Sequence, residues 1–454
     1  MTANFLGYHN LDLSVNESVP EETLNARKIR FKSLDFLKGL GLIIILEAHL
    51  GLWYQSGTWH SSWAITQIIT RPGGPANFIL VSILGLLISF FLRQESVNKR
   101  HVILRVAKRS LIFLFIGSIL NIINIWQDIV ATDVFFVYKL LRVLFTCNIF
   151  TFLGWAQLIT CAFKDLKKSI QIAFIVATFA FYYIALPFFI EVMDNRVLNY
   201  RMGDLYLYSA MPTEISGTLF VYFMMFFENS MAPFIPWVGL VFLVNAVYGE
   251  FARAIRHQTQ PSDLLGVLKR IQKYSLICIG VGVGMGFAFS PGLMNQVEYS
   301  WLVNDASAIR FWDPSLGGYP LFLHQNNPAY ILFAFGLMSF FTSSLIMQID
   351  IKQRWRTSRF IKTFSVFGKY SMTVFITHAL ASFIPLTLSF PEFLLVLALA
   401  STFYISIIYL WHEKFHGIGS LSWAMRIMLS GEIMKKIRAV EFKKVSLQQL
   451  KFRK

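Results

Sequence analysis

The stretch RPGGPANFILVSILGLLISFFLR, residues 71–93, decides the fold class. It carries no charge between its two arginines, and its apolar core, 76–92, approaches the ~20 residues that cross a bilayer as a helix. Working outward, similar runs occupy 34–53, 110–126, 143–163, 169–191, 231–248, 274–294, 329–348, 370–387 and 392–411. The expected fold is therefore all-α: a polytopic membrane protein of about ten transmembrane helices. Composition agrees. Of 454 residues, 55% are hydrophobic and 15% charged, with 45 phenylalanines and a mean hydropathy of +0.55. Soluble domains carry about 25% charged residues. A water-soluble enzyme, a disordered regulator and a secreted disulfide scaffold are excluded as the main body. Cys147, Cys161 and Cys278 lie inside apolar runs, which leaves no readable disulfide framework or CxxC metal site.

The net charge of +16 is distributed as a membrane protein distributes it. With the N-terminus placed in the cytoplasm, 34 Lys and Arg fall on inside segments and 6 on outside loops, while Lys38 lies within span 1. The positive-inside rule then puts both termini in the cytoplasm. The polar segment 1–33 and the basic segment 412–454 read as cytoplasmic tails flanking a membrane domain at 34–411. No apolar core of a cleavable signal peptide occurs in the first 25 residues. The basic clusters read either as retention beside anionic headgroups or, where one borders a cavity, as contacts to a phosphorylated cofactor. Nucleic acid is not an expected partner; the lipid bilayer is. Outside loops 54–75, 192–230 and 295–328 are rich in Trp, Tyr, Asn and His. Such a rim suits a carbohydrate or amine acceptor, and equally an interfacial aromatic belt. Residues 215–228 are apolar but too short to span, and fit an interfacial or re-entrant segment.

Ionisable residues in lipid are costly and normally face a partner or a watery cavity. Span 1, SLDFLKGLGLIIILEAHL, holds four: Asp35, Lys38, Glu47 and His49. At about 100° per residue Lys38 and His49 fall about 20° apart, with Asp35 within about 60° and Glu47 roughly 120° away. His49 lies about 16 Å above Lys38. One face thus presents polar groups toward both membrane surfaces. Asp35 and Lys38 read either as a structural ion pair with neighbouring spans or as part of a site. Asn121, Asn148, Gln157, Asn245 and His378 read as helix–helix hydrogen bonds, and Gly280, Gly282, Gly284 and Gly286 as a close helix contact. No HExxH, GxSxG or P-loop occurs, and no metal site is expected.

The run from Arg30 to Gly39, RFKSLDFLKG, followed by apolar residues and His49, resembles the opening of the heparan-α-glucosaminide N-acetyltransferase-like catalytic domain, which reads roughly R-x-x-SLD-x-x-RG-x-A. Further segments resemble that family in order: 71–93, RVAKRSLIFLFIGSILN (105–121), MAPFIPWVG (231–239), NNPAYILFAFG (326–336) and FGKYSMTVFITH (367–378). Lys38 stands where the family usually has Arg, and Gly41 where Ala is common. FHGIGSLSWAMR (415–426) resembles the ending of a related group of bacterial membrane proteins.

The resemblance implies an integral acyltransferase of the cell membrane that takes acetyl-CoA from the cytoplasm and delivers its acetyl group across the membrane. The acceptor would be an amino sugar or another extracytoplasmic glycan or amine. His60, in the family's H-x-x-W setting with Trp63, and His49, matching a histidine at the end of span 1 in bacterial relatives, are the candidate catalytic bases or acetyl carriers. Arg105, Lys108, Arg109, Lys38 and Asp35 are the candidate acetyl-CoA-binding residues, with Arg105, Lys108 or Arg109 near its phosphates, which favour the fork of arginine or the charge of lysine. Asn77 or Asn121 could donate to a thioester oxyanion. A homodimer is admitted. Two other classes remain: a transporter or flippase of a small solute or lipid-linked sugar, and an O-acyltransferase of the wider transmembrane type.

Overall fold

The computed structural model describes residues 30–54, 71–93, 99–124, 147–196, 234–257, 260–288, 322, 327–379, 381, 384, 386–421 and 423–425. The tails before residue 30 and after 425, loop 55–70 with His60, and segment 215–228 lie outside the described residues. The structure is 88% helical and has no strand among the described residues. Its helices are α1 (Lys32–Tyr54), α2 (Pro75–Arg93), α3 (Lys99–Asn124), α4 (Ile149–Phe163), α5 (Lys168–Arg196), α6 (Phe234–Arg256), α7 (Pro261–Ala288), α8 (Pro328–Leu345), α9 (Arg359–Lys369), α10 (Ser371–Ala379) and α11 (Phe390–Phe415). A 3-10 turn at Arg71–Gly73 precedes α2, and a π-helical segment, Ile346–Ile351, extends α8.

Among the described residues, six helices are long and apolar enough to cross a membrane: α2, α3, α6, α7, α8 with its extension, and α11. Helices α4 and α5 add shorter apolar segments. α1, 23 residues long, carries Lys32, Asp35, Lys38 and Glu47. The outer surface is that of a lipid-solvated bundle. Leu111, Phe115 and Ile119 of α3, Val176 and Ile184 of α5, Leu276 and Phe287 of α7, and Leu395, Leu399 and Phe403 of α11 are all exposed. In water so many exposed apolar chains would drive association; in hydrocarbon they cost nothing.

α2 occupies the centre, against α1, α4, α6 and α8. Its Ile79, Leu80, Val81, Leu84 and Leu87 are fully buried, as are Trp237, Leu240 and Val244 of α6. Caps fix where the helices begin. Asn148 accepts from the Phe150 and Thr151 amides and opens α4, while its own amide donates to the Gly117 carbonyl and the Asn121 side chain of α3, both at 2.7 Å. Asn327 accepts from the Ala329 amide ahead of Pro328 at the start of α8, and Tyr183 of α5 donates to it at 2.9 Å. Ser389 and Glu392 form a capping box on α11. At the other end of α11, His416 and Gly417 take positive φ, and the chain folds back so that Trp411 donates to the Ile418 carbonyl at 2.8 Å and the Leu421 amide to Thr373 at 3.0 Å.

Several expectations are corrected. The run 370–387 is not one helix: α10 stops at Ala379 and Ile384 sits in a bend. The next residue, Pro385, disfavours helical geometry in the residue before it and lacks an N–H. α3 begins at Lys99 and α7 at Pro261, well before the apolar runs at 110 and 274, because hydropathy marks only the lipid-buried part of a helix. Of the four glycines in α7, Gly282 and Gly286 face the neighbouring chain: a Cβ on either would lie 2.6 Å from backbone nitrogen of Phe333 or Phe322. Gly280 and Gly284 meet nothing within 4 Å, since alternate residues of a helix point to opposite sides. The inter-helix roles of Asn121, Asn148 and His378 are found, and Asn245 reaches Thr160 of α4 at 3.5 Å. Cys147, Cys161 and Cys278 form no disulfide with one another.

Candidate functional site

The N-terminus of α1 is built by residues more than 300 positions away. The π-helical end of α8 turns Asp350 so that its carboxylate accepts from the Lys32 amide at 2.8 Å and the Ser33 amide at 3.2 Å. The carboxylate thereby satisfies two of the amides that a helix start leaves open and faces the positive end of its dipole. Lys32 Nζ donates to the Arg356 carbonyl at 3.4 Å, and Ser365 Oγ to the Lys32 carbonyl at 3.2 Å. Burial pulls the Lys32 ammonium below the usual lysine range, with Arg356 adding to the effect and Asp350 opposing it. Helix α9 then crosses α1 at glycines. A Cβ on Gly39 would lie 2.2 Å from the Phe364 carbonyl oxygen, and one on Gly368 would lie 1.8 Å from that of Asp35. Phe36 packs edge-on to Phe360 and Phe364 beside this crossing. The stretches 30–39 and 367–378, distant in sequence, are thus one structural unit.

This unit displays a charged rim at the end of the bundle where α1 starts. Arg30 Nε donates to Asp35 Oδ2 at 2.5 Å, and the charges of Asp35, Arg109 and Arg30 act on Lys38. Asp35 therefore pairs within its own segment, correcting the expectation of a partner from a neighbouring span. Among the candidate cofactor residues, Asp35, Lys38 and Arg109 are brought together. Arg105 and Lys108 are exposed on the same helix as Arg109.

An aromatic wall leads away from the rim. The Arg109 guanidinium lies 5.5 Å from the centre of the Phe113 ring, Phe113 stacks on Phe150 at 5.9 Å, and Phe150 meets Phe375 edge-on at 4.7 Å. Phe375 in turn touches both His49 and His378, at 6.0 and 5.0 Å between ring centres. The imidazoles stack 5.0 Å apart with 20° between their planes, and His49 Nδ1 lies 2.7 Å from His378 Nε2.

With both rings neutral, one pair of tautomers is consistent with these contacts. His378 Nδ1 faces the Val374 carbonyl at 3.3 Å, a partner that only accepts, so Nδ1 carries the proton and donates. His378 Nε2 then accepts from His49 Nδ1–H. That leaves the lone pair of His49 on Nε2. The arrangement orients one imidazole by a second, which is how a general base or an acyl-carrying nitrogen is held.

Asn77 donates to the Leu37 carbonyl at 2.9 Å, with Gly41 providing its space, and Asn121 accepts from Asn148. His60 lies outside the described residues. No group of three metal-ligating side chains occurs among the described residues. Three polar residues carry roles that the sequence reading did not assign. His378 was assigned a packing bond although its stretch was singled out. Asp350 sits just past the apolar run 329–348 and was not singled out. Lys164 was counted only as a charge, yet it is fully buried, paired with Asp165 and 4.3 Å from the centre of the Phe90 ring. No protein-family model matches the chain, and no curated protein matches it.

Proposed function

We propose that the chain is a ten-span protein of the cell membrane with both termini in the cytoplasm, and that it transfers an acetyl group from cytoplasmic acetyl-CoA to an extracytoplasmic amino sugar or glycan. The observation that carries this reading is the His49–His378 pair at the far end of an aromatic wall that begins at Lys38 and Arg109. The ordered resemblance to the heparan-α-glucosaminide N-acetyltransferase-like catalytic domain supports it, as does the meeting of two resembling stretches in one unit. Lys38 and Arg109 would hold phosphates at the cytoplasmic rim. Eleven helical residues separate Lys38 from His49, about 16 Å of rise, a depth suited to the long pantetheine arm. His49 Nε2 would take a proton from the acceptor ammonium. The free amine then attacks the thioester carbonyl; as the C–S bond breaks, the adduct's remaining extra N–H proton passes to the departing sulfur, giving the amide and the CoA thiol, and His49 returns its proton to water. Loss of a general base costs about 10²–10⁴-fold in rate. His60 is the rival base at the outer surface.

The test is purified protein in neutral lipid with labelled acetyl-CoA and glucosamine. Labelled acetyl-glucosamine and stoichiometric free CoA are expected, both lost in His49→Ala. Loss in His60→Ala alone would move the base to the outer loop. Uptake of an unmodified solute with no CoA release from any amine or hydroxyl acceptor would replace the enzyme reading with a transporter.

A further inference from the structure

The segment KQRWRTSRFIK, residues 352–362, holds five cations and no acid. It follows directly on the apolar helix that ends at Ile351, so its first residues emerge where a span leaves hydrocarbon. Lys352, Arg354 and Arg359 are exposed, and so are two large apolar chains between and beside them: Trp355 at 51% and Phe360 at 56%. A tight turn with Gln353 at positive φ compacts this face. Exposed tryptophan and phenylalanine among arginines suit neither water nor the hydrocarbon core. They suit the headgroup layer, where the rings enter the acyl boundary and the cations meet phosphate. The same segment contacts the start of α1 through the Arg356 carbonyl, and the residues flanking it, Asp350 and Ser365, bond that start as well.

We propose that residues 352–360 form a docking site for anionic glycerophospholipid headgroups, and that lipid bound there steadies the first turn of α1. This rests on the membrane placement of the chain but not on acyl transfer, and its test uses no acetyl-CoA. Full-length protein in neutral detergent is heated with phosphatidylglycerol or with phosphatidylcholine, and hydrogen exchange is followed at residues 32–38. Phosphatidylglycerol should raise Tm several degrees more than phosphatidylcholine and slow exchange in that turn. The variant carrying Arg354→Gln, Trp355→Ala and Arg359→Gln should lose more than half of that increment. A control with Lys167→Gln and Lys269→Gln, which removes two exposed cations elsewhere, should keep it. The proposal is overturned if the triple variant keeps the whole increment, if the control loses as much, or if phosphatidylcholine gives an equal one. It is also overturned if inorganic pyrophosphate reproduces the shift, because the site would then bind free anions.

Discussion

Two helix crossings in this protein use the same packing device for different ends. At α7–α8, a Cβ on Gly282 would lie 2.6 Å from the Phe333 nitrogen and one on Gly336 2.5 Å from the Ser275 carbonyl. At α1–α9, a Cβ on Gly368 would approach the Asp35 carbonyl to 1.8 Å. The polar groups at α7–α8 are spent locally: Ser275 donates to its own helix, and Gln272 to Ser344. Those around α1–α9 reach outward, to the cap from Asp350, the rim of Asp35 and Lys38, and the His49–His378 bond. Small residues bring backbones together in both places, because apolar helices in lipid gain from dispersion and interhelical hydrogen bonds rather than from leaving water. Only at α1–α9 does that closeness also set where charged and titratable groups stand.

The largest expected effect separates the two crossings by activity. On the proposed function, His49→Ala should reduce acetyl transfer by about 10²–10⁴-fold. No substitution at α7–α8 should do so per folded molecule; equal loss at both would erase the distinction. Gly368→Ala comes next: overpacking against backbone should cost about 1–3 kcal/mol or more, read as a lower Tm. Gly282→Ala should fall in a similar range, and its surviving folded protein should keep its turnover while that of Gly368→Ala does not. Asp350→Ala removes the cap of α1 and should cost about 0.5–2 kcal/mol, with faster hydrogen exchange at Lys32 and Ser33. The smallest change is Gly284→Ala, which fills open space and should leave Tm unchanged or raise it by the equivalent of roughly 0.5–1 kcal/mol. A marked destabilisation there would mean that Gly284 packs against something after all.

Much of the bundle was legible because its signal is local. A run such as 76–92 announces a lipid-length helix by composition alone, whereas the cap at Asn148 was not legible because that residue falls inside the apolar run 143–163. The break at Ile384 was hidden by hydropathy, which counts Pro385 as nearly neutral although it interrupts backbone hydrogen bonding. The site was legible in pieces. Lys38 and His49 fall on one face of α1 by helical periodicity, and His378 stood in a stretch already singled out. That these residues form one constellation was not legible, since nothing within either stretch reports a contact across 329 positions.

Hydropathy also could not rank the helices. In α2 72% of the membrane-length stretch is buried inside the protein, and in α11 only 11%. Both sequences are almost wholly apolar, because protein interior and lipid tails reward the same side chains. The sequence by itself therefore determined that this chain lives among lipid, which segments are helical, and where its rare charges and imidazoles sit along each helix. Only the tertiary structure decided which apolar faces meet protein and which meet lipid. It alone made Asp350 the cap of α1, and it alone gave His49 a second histidine to hold its proton. Those outcomes depend on close contacts between distant segments, and such contacts are set by packing geometry rather than by any local preference of the chain.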